Sequence, residues 1–159
     1  MPCPKCEIQP GYHSFKNIGK AKNIQVFYTN PEKSKDKNEE GTKLEHVSIH
    51  VKEGTNGEPW IWVVDCGTMT IADYTEMSFN YGIYNLVTSD PLLQEVWIIR
   101  PNIWIRSTIG FFKAFSYSKI IQNISYIEGS NLEQLDFLEK KGLNKNGTHW
   151  LIHQEDTLA

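Results

Sequence analysis

Short apolar runs along the chain predict strands of a mixed α/β fold. Ile24 to Thr29 is rich in β-branched and aromatic residues, which is typical of a strand. The segment Glu58–Gly67 contains the run Trp60–Val64, which is apolar on both faces, as expected of a strand that helices cover on both sides of a parallel sheet. Val96–Arg100 repeats this pattern before Pro101 stops it. These runs predict the core of a parallel sheet.

Apolar residues at helical spacing separate the predicted strands. They predict a helix over Lys43–Lys52, although the alternation from Val47 to Val51 also fits a strand. Between Thr70 and Gln94 the apolar positions fit one or two helices. A strand, a crossover helix and a second parallel strand form a right-handed unit in nearly all proteins. We therefore expect such a unit between residues 58 and 100.

The second half of the chain continues the alternation of helix and strand. Ile103–Phe115 has the length and apolarity of a helix, and Lys119–Ile127 resembles a short strand. Asn131 is a typical N-cap for a helix that runs to about Lys141, where Gly142 ends it. These elements complete the predicted domain.

The two ends of the chain lack this pattern. Residues 1–23 carry three prolines and few consecutive apolar residues, so an irregular N-terminal arm is expected. Residues 144–159 are polar apart from Trp150–Ile152, and we expect a tail that either packs on the domain or frays. The predicted organisation is an arm over 1–23, one α/β domain over 24–143 and a tail over 144–159.

Composition limits the classes of binding partner and the cellular compartment that we expect for this chain. The chain has 159 residues, with sixteen lysines and arginines against nineteen acidic residues, and its net charge of −3 argues against nucleic acid as a partner. Its three cysteines cannot form a disulfide framework, and the start lacks the apolar stretch of a secretory signal. No apolar run approaches the roughly 20 residues that cross a bilayer. An intracellular, cytoplasmic protein is expected by default.

Several segments in a fixed order carry a resemblance to a known family. They are the apolar strand Pro59–Gly67, the strand and turn Val96–Asn102, and Ser118–Ile121 followed by Asn131–Leu135. In this order they resemble the CRAL-TRIO lipid-binding family, and more closely its divergent branch, which includes the BCH-type domains. The resemblance covers residues 24–143. It implies a single domain with a mostly parallel, helix-covered sheet that binds a lipid in an apolar pocket.

The chain departs from the family pattern at both ends. The region before residue 24 carries cysteines and does not resemble the helical region that often precedes the domain. The Leu-Pro and Gly-Gly elements that are common near the end of lipid-transfer members are not found after Leu143. These departures favour lipid binding over active lipid transfer.

Aromatic residues, 12% of the chain, are concentrated in the predicted strands and the helix after them. Under the family plan Trp62 and Val64 share one strand face. Trp97 and Ile99 share a face of the neighbouring strand, and the helix 103–115 covers this surface. The predicted ligand-binding residues are these four together with Ile109, Phe112 and Phe115. Ordinary core packing is the alternative for each, and a pocket is favoured because ligand pockets are mostly apolar.

Two arginines flank the apolar helix. Arg100 and Arg106 are candidates for binding an anionic headgroup, because a guanidinium group binds phosphate through paired hydrogen bonds. A surface salt bridge is the alternative for each of them.

Cysteine and histidine pairs are candidates for a zinc site. Cys3 and Cys6 form a C-x₂-C pair, and His149 and His153, four residues apart, would complete a four-ligand site, with His13 as a further candidate. Such a zinc ion would be structural, and the predicted function requires no cofactor. Free thiols and histidines are the alternative. Redox chemistry is disfavoured, because a redox C-x₂-C motif normally opens a helix after a strand.

The sequence lacks the common motifs of catalysis. It has no G-x-S-x-G elbow, no glycine-rich phosphate loop and no H-E-x-x-H pair, and Cys66 is the one thiol at a strand end. We therefore predict a binding module, not an enzyme, that encloses a hydrophobic small molecule or lipid. The alternatives are a BCH-type scaffold that binds a regulatory protein through the charged loop Glu32–Glu40 and, with less support, a cysteine-dependent enzyme. Peripheral contact with a membrane stays open.

Overall fold

The described residues, 14–30, 43–67 and 84–153 of a computed structural model, form a mixed α/β fold around one sheet. β1 (Lys16–Ala21) and β2 (Ile24–Thr29) pair as an antiparallel hairpin, and β3 (Trp60–Asp65), β4 (Leu93–Ile99) and β5 (Ser125–Ile127) extend it in parallel. The five strands lie in the sheet in chain order. The predicted α/β class with a mostly parallel sheet is confirmed.

The hairpin of β1 and β2 occupies part of the stretch that the sequence predicted as an irregular arm. Lys22 and Asn23 form its turn with φ of 50° and 72°, the left-handed pair that a type I′ hairpin needs. β1 buries only Ile18 and Ala21, because it lies at the edge of the sheet. The prediction was wrong for residues 16–21, since an edge strand that is covered on one face needs no continuous apolar run.

Helices connect the parallel strands and follow the last one. α1 (Lys43–Thr55) leads to β3, residues 84–89 are helical before β4, α2 (Ile103–Phe115) and α3 (Lys119–Gln122) lie between β4 and β5, and α4 (Asn131–Lys141) and α5 (Lys145–Ile152) follow β5. The predicted bounds of α2 and the predicted end of α4 are confirmed, and the ambiguous segment from Lys43 is helical. Most of the predicted helical region 70–94 lies outside the described residues. In the part of the chain that the structure describes, no helix is long and apolar enough to cross a membrane.

The segment Lys119–Ile127, predicted as one strand, contains a helical turn and a shorter strand. Ser118 precedes α3, in which Ile121 is buried, and only Ser125–Ile127 pairs with β4. Both structures fit the apolar pattern of this segment. The helical turn forms because it packs Ile121 into the core beside β4.

Side chains of the sheet alternate between two buried clusters. Because the parallel strands lie in chain order, right-handed crossovers place the connecting helices on one face of the sheet. This crossover face holds Phe27, Trp60, Trp62, Val96 and Ile98, together with Val51 of α1, Ile109 of α2 and Ile121 of α3. The opposite, terminal face holds Val26, Tyr28, Ile61, Val63, Trp97, Ile99 and Ile127, together with Leu138 of α4 and Leu151 and Ile152 of α5.

The helices of the terminal face end in well-defined caps. Ser130, not the predicted Asn131, is the N-cap of α4, and its hydroxyl accepts a hydrogen bond of 3.2 Å from a backbone amide in the first turn. Gly142 ends α4 in the left-handed conformation, with φ of 82°, as predicted. α5 places Trp150 edge-on against Tyr28, with ring centroids 4.8 Å apart. This part of the predicted tail therefore packs on the domain.

Candidate functional site

A buried carboxylate organises the edge of the sheet where the parallel strands end. Asp65, at the end of β3, is 1% exposed. Its Oδ1 accepts from Nε of Arg100 at 3.1 Å, and its Oδ2 accepts from Nη2 of Arg100 and from the hydroxyl of Tyr28, both at 2.5 Å. The backbone amide of Gly67 also donates to Oδ1, at 3.0 Å. The fork of Arg100 thus forms the bidentate pair that makes the strongest carboxylate contacts.

Burial and charge favour the protonated form of Tyr28. Burial, and then the negative charge of Asp65, raise the pKa of the Tyr28 phenol well above its usual value. Tyr28 therefore stays neutral and donates to the carboxylate at neutral pH. Arg100 adopts a left-handed backbone conformation with φ of 53°, and a Cβ added at Gly67 would lie 2.9 Å from its Cδ. The chain thus has an uncommon backbone conformation at Arg100, shortly before α2 begins, at the same residue that pairs with Asp65.

The second candidate arginine also has a carboxylate partner. Arg106, on α2, forms an ion pair with Glu128, which follows β5, and both side chains are about half exposed. The guanidinium group of Arg106 also lies 4.7 Å from the ring centroid of Tyr126. Burial raises the pKa of Tyr126 above its usual value. Both predicted headgroup ligands are thus engaged within the protein itself.

The predicted apolar site is divided between the two faces of the sheet. Trp62 packs on the crossover face with Val64, Ile109 and Phe112, as predicted. Trp97 and Ile99, however, lie in the cluster of the terminal face. Their predicted coverage by α2 is wrong.

The parallel register explains this division. Trp62 lies opposite Val96 in the ladder between β3 and β4, and the next pair is Val63 with Trp97. Val96 and Ile98 are therefore the residues of β4 that face α2. A shift of one residue moves every side chain of a strand to the other face, and the sequence alone does not set the register across a crossover.

The buried tryptophans have the environment of core residues. The indole nitrogen of Trp60 donates to Asp90 at 3.1 Å, that of Trp62 to Thr29 at 2.8 Å, and that of Trp97 to Glu95 at 3.3 Å. Each of these side chains is at most 3% exposed. Their polar groups are satisfied inside the domain, as the core-packing alternative expects.

α2 carries most of the remaining apolar candidates, and it buries few of them. Ile109 is its only buried residue, whereas Phe115 is 74% exposed. Sequence reasoning missed Tyr84, whose ring lies 4.9 Å from that of Phe112 and whose hydroxyl donates to Ser116 at 2.7 Å. Tyr84 attaches the end of α2 to the domain, and its place in an ambiguous helical region gave no signal for this role.

The candidates for metal and thiol chemistry do not come together in the described residues. His149 lies on α5 and His153 is the C-cap of this helix, with their ring centroids 4.5 Å apart. Cys3, Cys6 and His13 lie outside the described residues, as does the charged loop Glu32–Glu40. Within residues 14–30, 43–67 and 84–153, no group of three or more histidines, cysteines and carboxylates could hold a metal ion. Cys66 is fully buried in the cluster of the crossover face.

No family profile and no curated protein matches the chain. The candidate site is defined by geometry: a buried Asp65–Arg100 pair fixes the chain where it enters α2, and α2 presents a largely unburied apolar surface.

Proposed function

We propose that this chain is a non-catalytic module that binds a hydrophobic small molecule or lipid, with α2 as the element that contacts it. One observation carries the proposal: α2 buries Ile109 alone, although seven of its thirteen residues are large and apolar. A helix of a globular domain normally buries an apolar stripe against its own core. The half-buried apolar side chains Ile105 and Phe112 leave apolar surface on the inner side of α2 that an apolar ligand would cover.

The inner side of α2 and the sheet beneath it form the proposed ligand contact. Ile105 and Phe112 are half-buried and pack against the cluster that contains Trp62. Each Å² of apolar surface that a ligand covers contributes about 25 cal/mol to binding before the costs of association are subtracted. The resemblance of residues 24–143 to the CRAL-TRIO family supports lipid as the ligand class.

The polar groups at the ends of the parallel strands support a binding role without catalysis. Asp65, Arg100 and Tyr28 hydrogen-bond with one another. Cys66 is 0% exposed, whereas a nucleophilic thiol must be reached by its substrate. These groups hold the strand ends and the start of α2 in place, which is a structural role.

Native mass spectrometry of the full chain, purified without detergent, tests this proposal. We expect part of the protein to carry a mass adduct that organic extraction releases and identifies as a lipid. Phe112→Ala should reduce the adduct, because it removes a half-buried ring from the inner side of α2. Phe137→Ala is the matched control, since Phe137 is a half-buried ring on α4 at the terminal face and should leave the adduct unchanged.

Two results would contradict the proposal. One is a purified chain that yields no extractable lipid and takes up no fluorescent fatty acid. The other is an equal loss of adduct in Phe112→Ala and Phe137→Ala, which would show that the ligand does not bind specifically at α2. A chain that carries no lipid but retains a bound protein would instead be an interaction scaffold.

A further inference from the structure

We propose that the outer face of α2 docks on the surface of an anionic lipid bilayer. This face consists of residues spaced three or four apart that line one side of the helix: Ile103, Trp104, Ser107, Phe111 and Phe115. It lies away from the sheet, which α2 contacts through Ile109. Docking deepens the proposed function and rests on it, since a bilayer is the source of a lipid ligand.

The outer face exposes large apolar side chains that are next to one another. Ile103 is 70% exposed, Trp104 45%, Phe111 54% and Phe115 74%. The rings of Phe111 and Phe115 touch, with centroids 4.9 Å apart, and the side chain of Tyr117, two residues later, is fully exposed. Single exposed apolar residues are ordinary, but a contiguous set on one helix marks an interaction surface. Tryptophan and tyrosine also favour the interface between lipid and water.

Two polar residues of α2 beside these side chains have hydroxyl groups that are already hydrogen-bonded, so moving them from water into lipid costs less. The hydroxyl of Ser107 donates to the carbonyl of Ile103 at 2.9 Å, and that of Thr108 donates to the carbonyl of Trp104 at 3.1 Å. A hydroxyl that already donates within the helix costs less to remove from water than an unpaired one. This part of α2 therefore behaves as a more apolar surface than its sequence suggests.

The charge around α2 is complementary to anionic lipid. From Val96 to Ile127 the chain carries four basic residues and no acidic one, whereas the rest has twelve basic and nineteen acidic residues. Asp65 and Glu128 pair with Arg100 and Arg106, respectively. Lys113 and Lys119 form no ion pair with a described residue. Long lysine side chains can reach lipid phosphates from the margin of an apolar face.

The opposite face of the sheet carries both charges in equal number. Its helices α4 and α5 hold the acids Glu133, Asp136 and Glu139 together with Lys140, Lys141 and Lys145. An anionic surface therefore attracts the side of the molecule that bears α2 more strongly than the side that bears α4.

The dimensions of α2 fix how it would lie. Thirteen residues at about 1.5 Å each make a helix of about 20 Å, which is shorter than the hydrocarbon core of a bilayer. An exposed apolar face on a helix that also carries basic residues, here Arg106 and Lys113, is typical of a helix that lies in the plane of the interface.

Tryptophan fluorescence with lipid vesicles tests the docking. Trp60, Trp62 and Trp97 are at most 3% exposed, and Trp150 lies against the terminal face, so Trp104 is the tryptophan that vesicles would cover. We expect vesicles of phosphatidylcholine with about 30% phosphatidylserine to shift the emission to the blue and to carry the protein upward in a flotation gradient. Trp104→Phe should float equally well but lose most of the shift.

Two double variants separate the apolar and the charged contributions. F111S/F115S should weaken vesicle binding about tenfold or more, because it removes two exposed rings from the contact. K113E/K119E should weaken binding to the anionic vesicles by a similar factor. Leu132→Ser, at a side chain that is 77% exposed on α4, is the matched control and should bind as the wild type does. Circular dichroism checks that each variant is folded.

The possible failures can be told apart. No flotation with anionic vesicles, equal flotation with neutral vesicles, or full binding by F111S/F115S would overturn the docking. A concentration-dependent dimer that F111S/F115S abolishes would identify a second copy as the occupant and would also overturn it. Recovery of bound lipid in native mass spectrometry without vesicle binding would contradict the docking on a bilayer but not the proposed binding of lipid. Vesicle binding without any bound lipid would contradict the proposed lipid ligand. It would also contradict the role of the bilayer as the source of that ligand.

Discussion

α2 and α4 are helices of similar length on opposite faces of one sheet, and the residues on their outer surfaces differ in type. α4 has a serine N-cap, a left-handed glycine at its end and a surface ion pair in which Nζ of Lys140 lies 2.9 Å from a carboxylate oxygen of Asp136. α2 has an Asn102 N-cap but no acidic residue, and its outer surface is aromatic. Each helix buries a single residue, Ile109 in α2 and Leu138 in α4.

This difference between the outer surfaces of α2 and α4 bears on which helix serves stability and which serves the proposed function. The outer surface of α4 exposes Leu132 and Leu135 among charged residues, whereas that of α2 exposes an isoleucine and three aromatic rings next to one another. The outer surface of α2 exposes aromatic side chains, which are costly to leave in water. We infer that the sequence of α4 serves stability and that the sequence of α2 serves the binding of lipid.

Removing the carboxylate of Asp65 should have the largest effect on stability. Asp65→Asn takes away the charge that pairs with the largely buried Arg100, at the point where the chain enters α2. Breaking a buried pair leaves an uncompensated charge, and we expect the free energy of unfolding to fall by about 3 kcal/mol. Urea denaturation measures this change. Amide exchange should also accelerate in α2 more than in α4.

Glu128→Gln is the matched control for this substitution. It removes the carboxylate of the half-exposed pair with Arg106, and such a pair contributes less than about 1 kcal/mol. A loss in Asp65→Asn no larger than in Glu128→Gln would contradict the structural role of the Asp65 network.

The two buried helix residues should differ in their contribution to stability. Leu138→Ala empties a site that is 0% exposed in the terminal face, and we expect a loss of about 2–5 kcal/mol. Ile109→Ala should cost less, at the lower end of this range, because Ile109 is 5% exposed whereas Leu138 is fully buried. Denaturation of both variants measures the difference. Equal losses would show that α2 is anchored as firmly as α4.

The buried phenol of Tyr28 predicts a change of stability with pH. Its pKa is raised in the folded protein, so its contribution is fully present below the usual tyrosine pKa of 10.0 and falls as the pH rises above it, because the unfolded chain loses its proton first. Tyr28→Phe should lower stability at neutral pH by about 1.5–3 kcal/mol through the lost bond to Asp65. It should also flatten the fall in stability between about pH 9 and pH 11.

Urea denaturation across this pH range checks both effects. Tyr117→Phe, at a fully exposed side chain, is the control and should keep the pH dependence of the wild type. A Tyr28→Phe variant with an unchanged slope would show that the phenol of Tyr28 is not the group responsible.

Much of the fold could be predicted from local sequence patterns. The ends of α4 follow from a polar residue at the start and Gly142 at the end, and those of α2 from an apolar run between Asn102 and Ser116. β1 was not predicted because an edge strand with two buried residues has no continuous apolar run. α3 was not predicted because a four-residue helical turn has the same apolar pattern as a strand.

The candidate site could be predicted only in part. Trp62, Val64, Ile109 and Phe112 were correctly placed together, because alternation along a strand and periodicity along a helix are local. Trp97 and Ile99 were placed on the wrong face, because the register between strands joined by a crossover depends on the packing of the whole layer. The exposure of Phe115 also depends on how closely α2 packs on the sheet, which composition does not encode.

Hydrogen exchange of the full chain, with and without vesicles of phosphatidylcholine and phosphatidylserine, tests the central claim most directly. It reports on α2 and α4 in the same sample, so each helix is the control for the other. We predict that amides of Ile103–Phe115 become more slowly exchanging when the vesicles are added and that those of Asn131–Lys141 do not change. Unchanged exchange in α2, or equal protection in both helices, would contradict the assignment of lipid binding to α2.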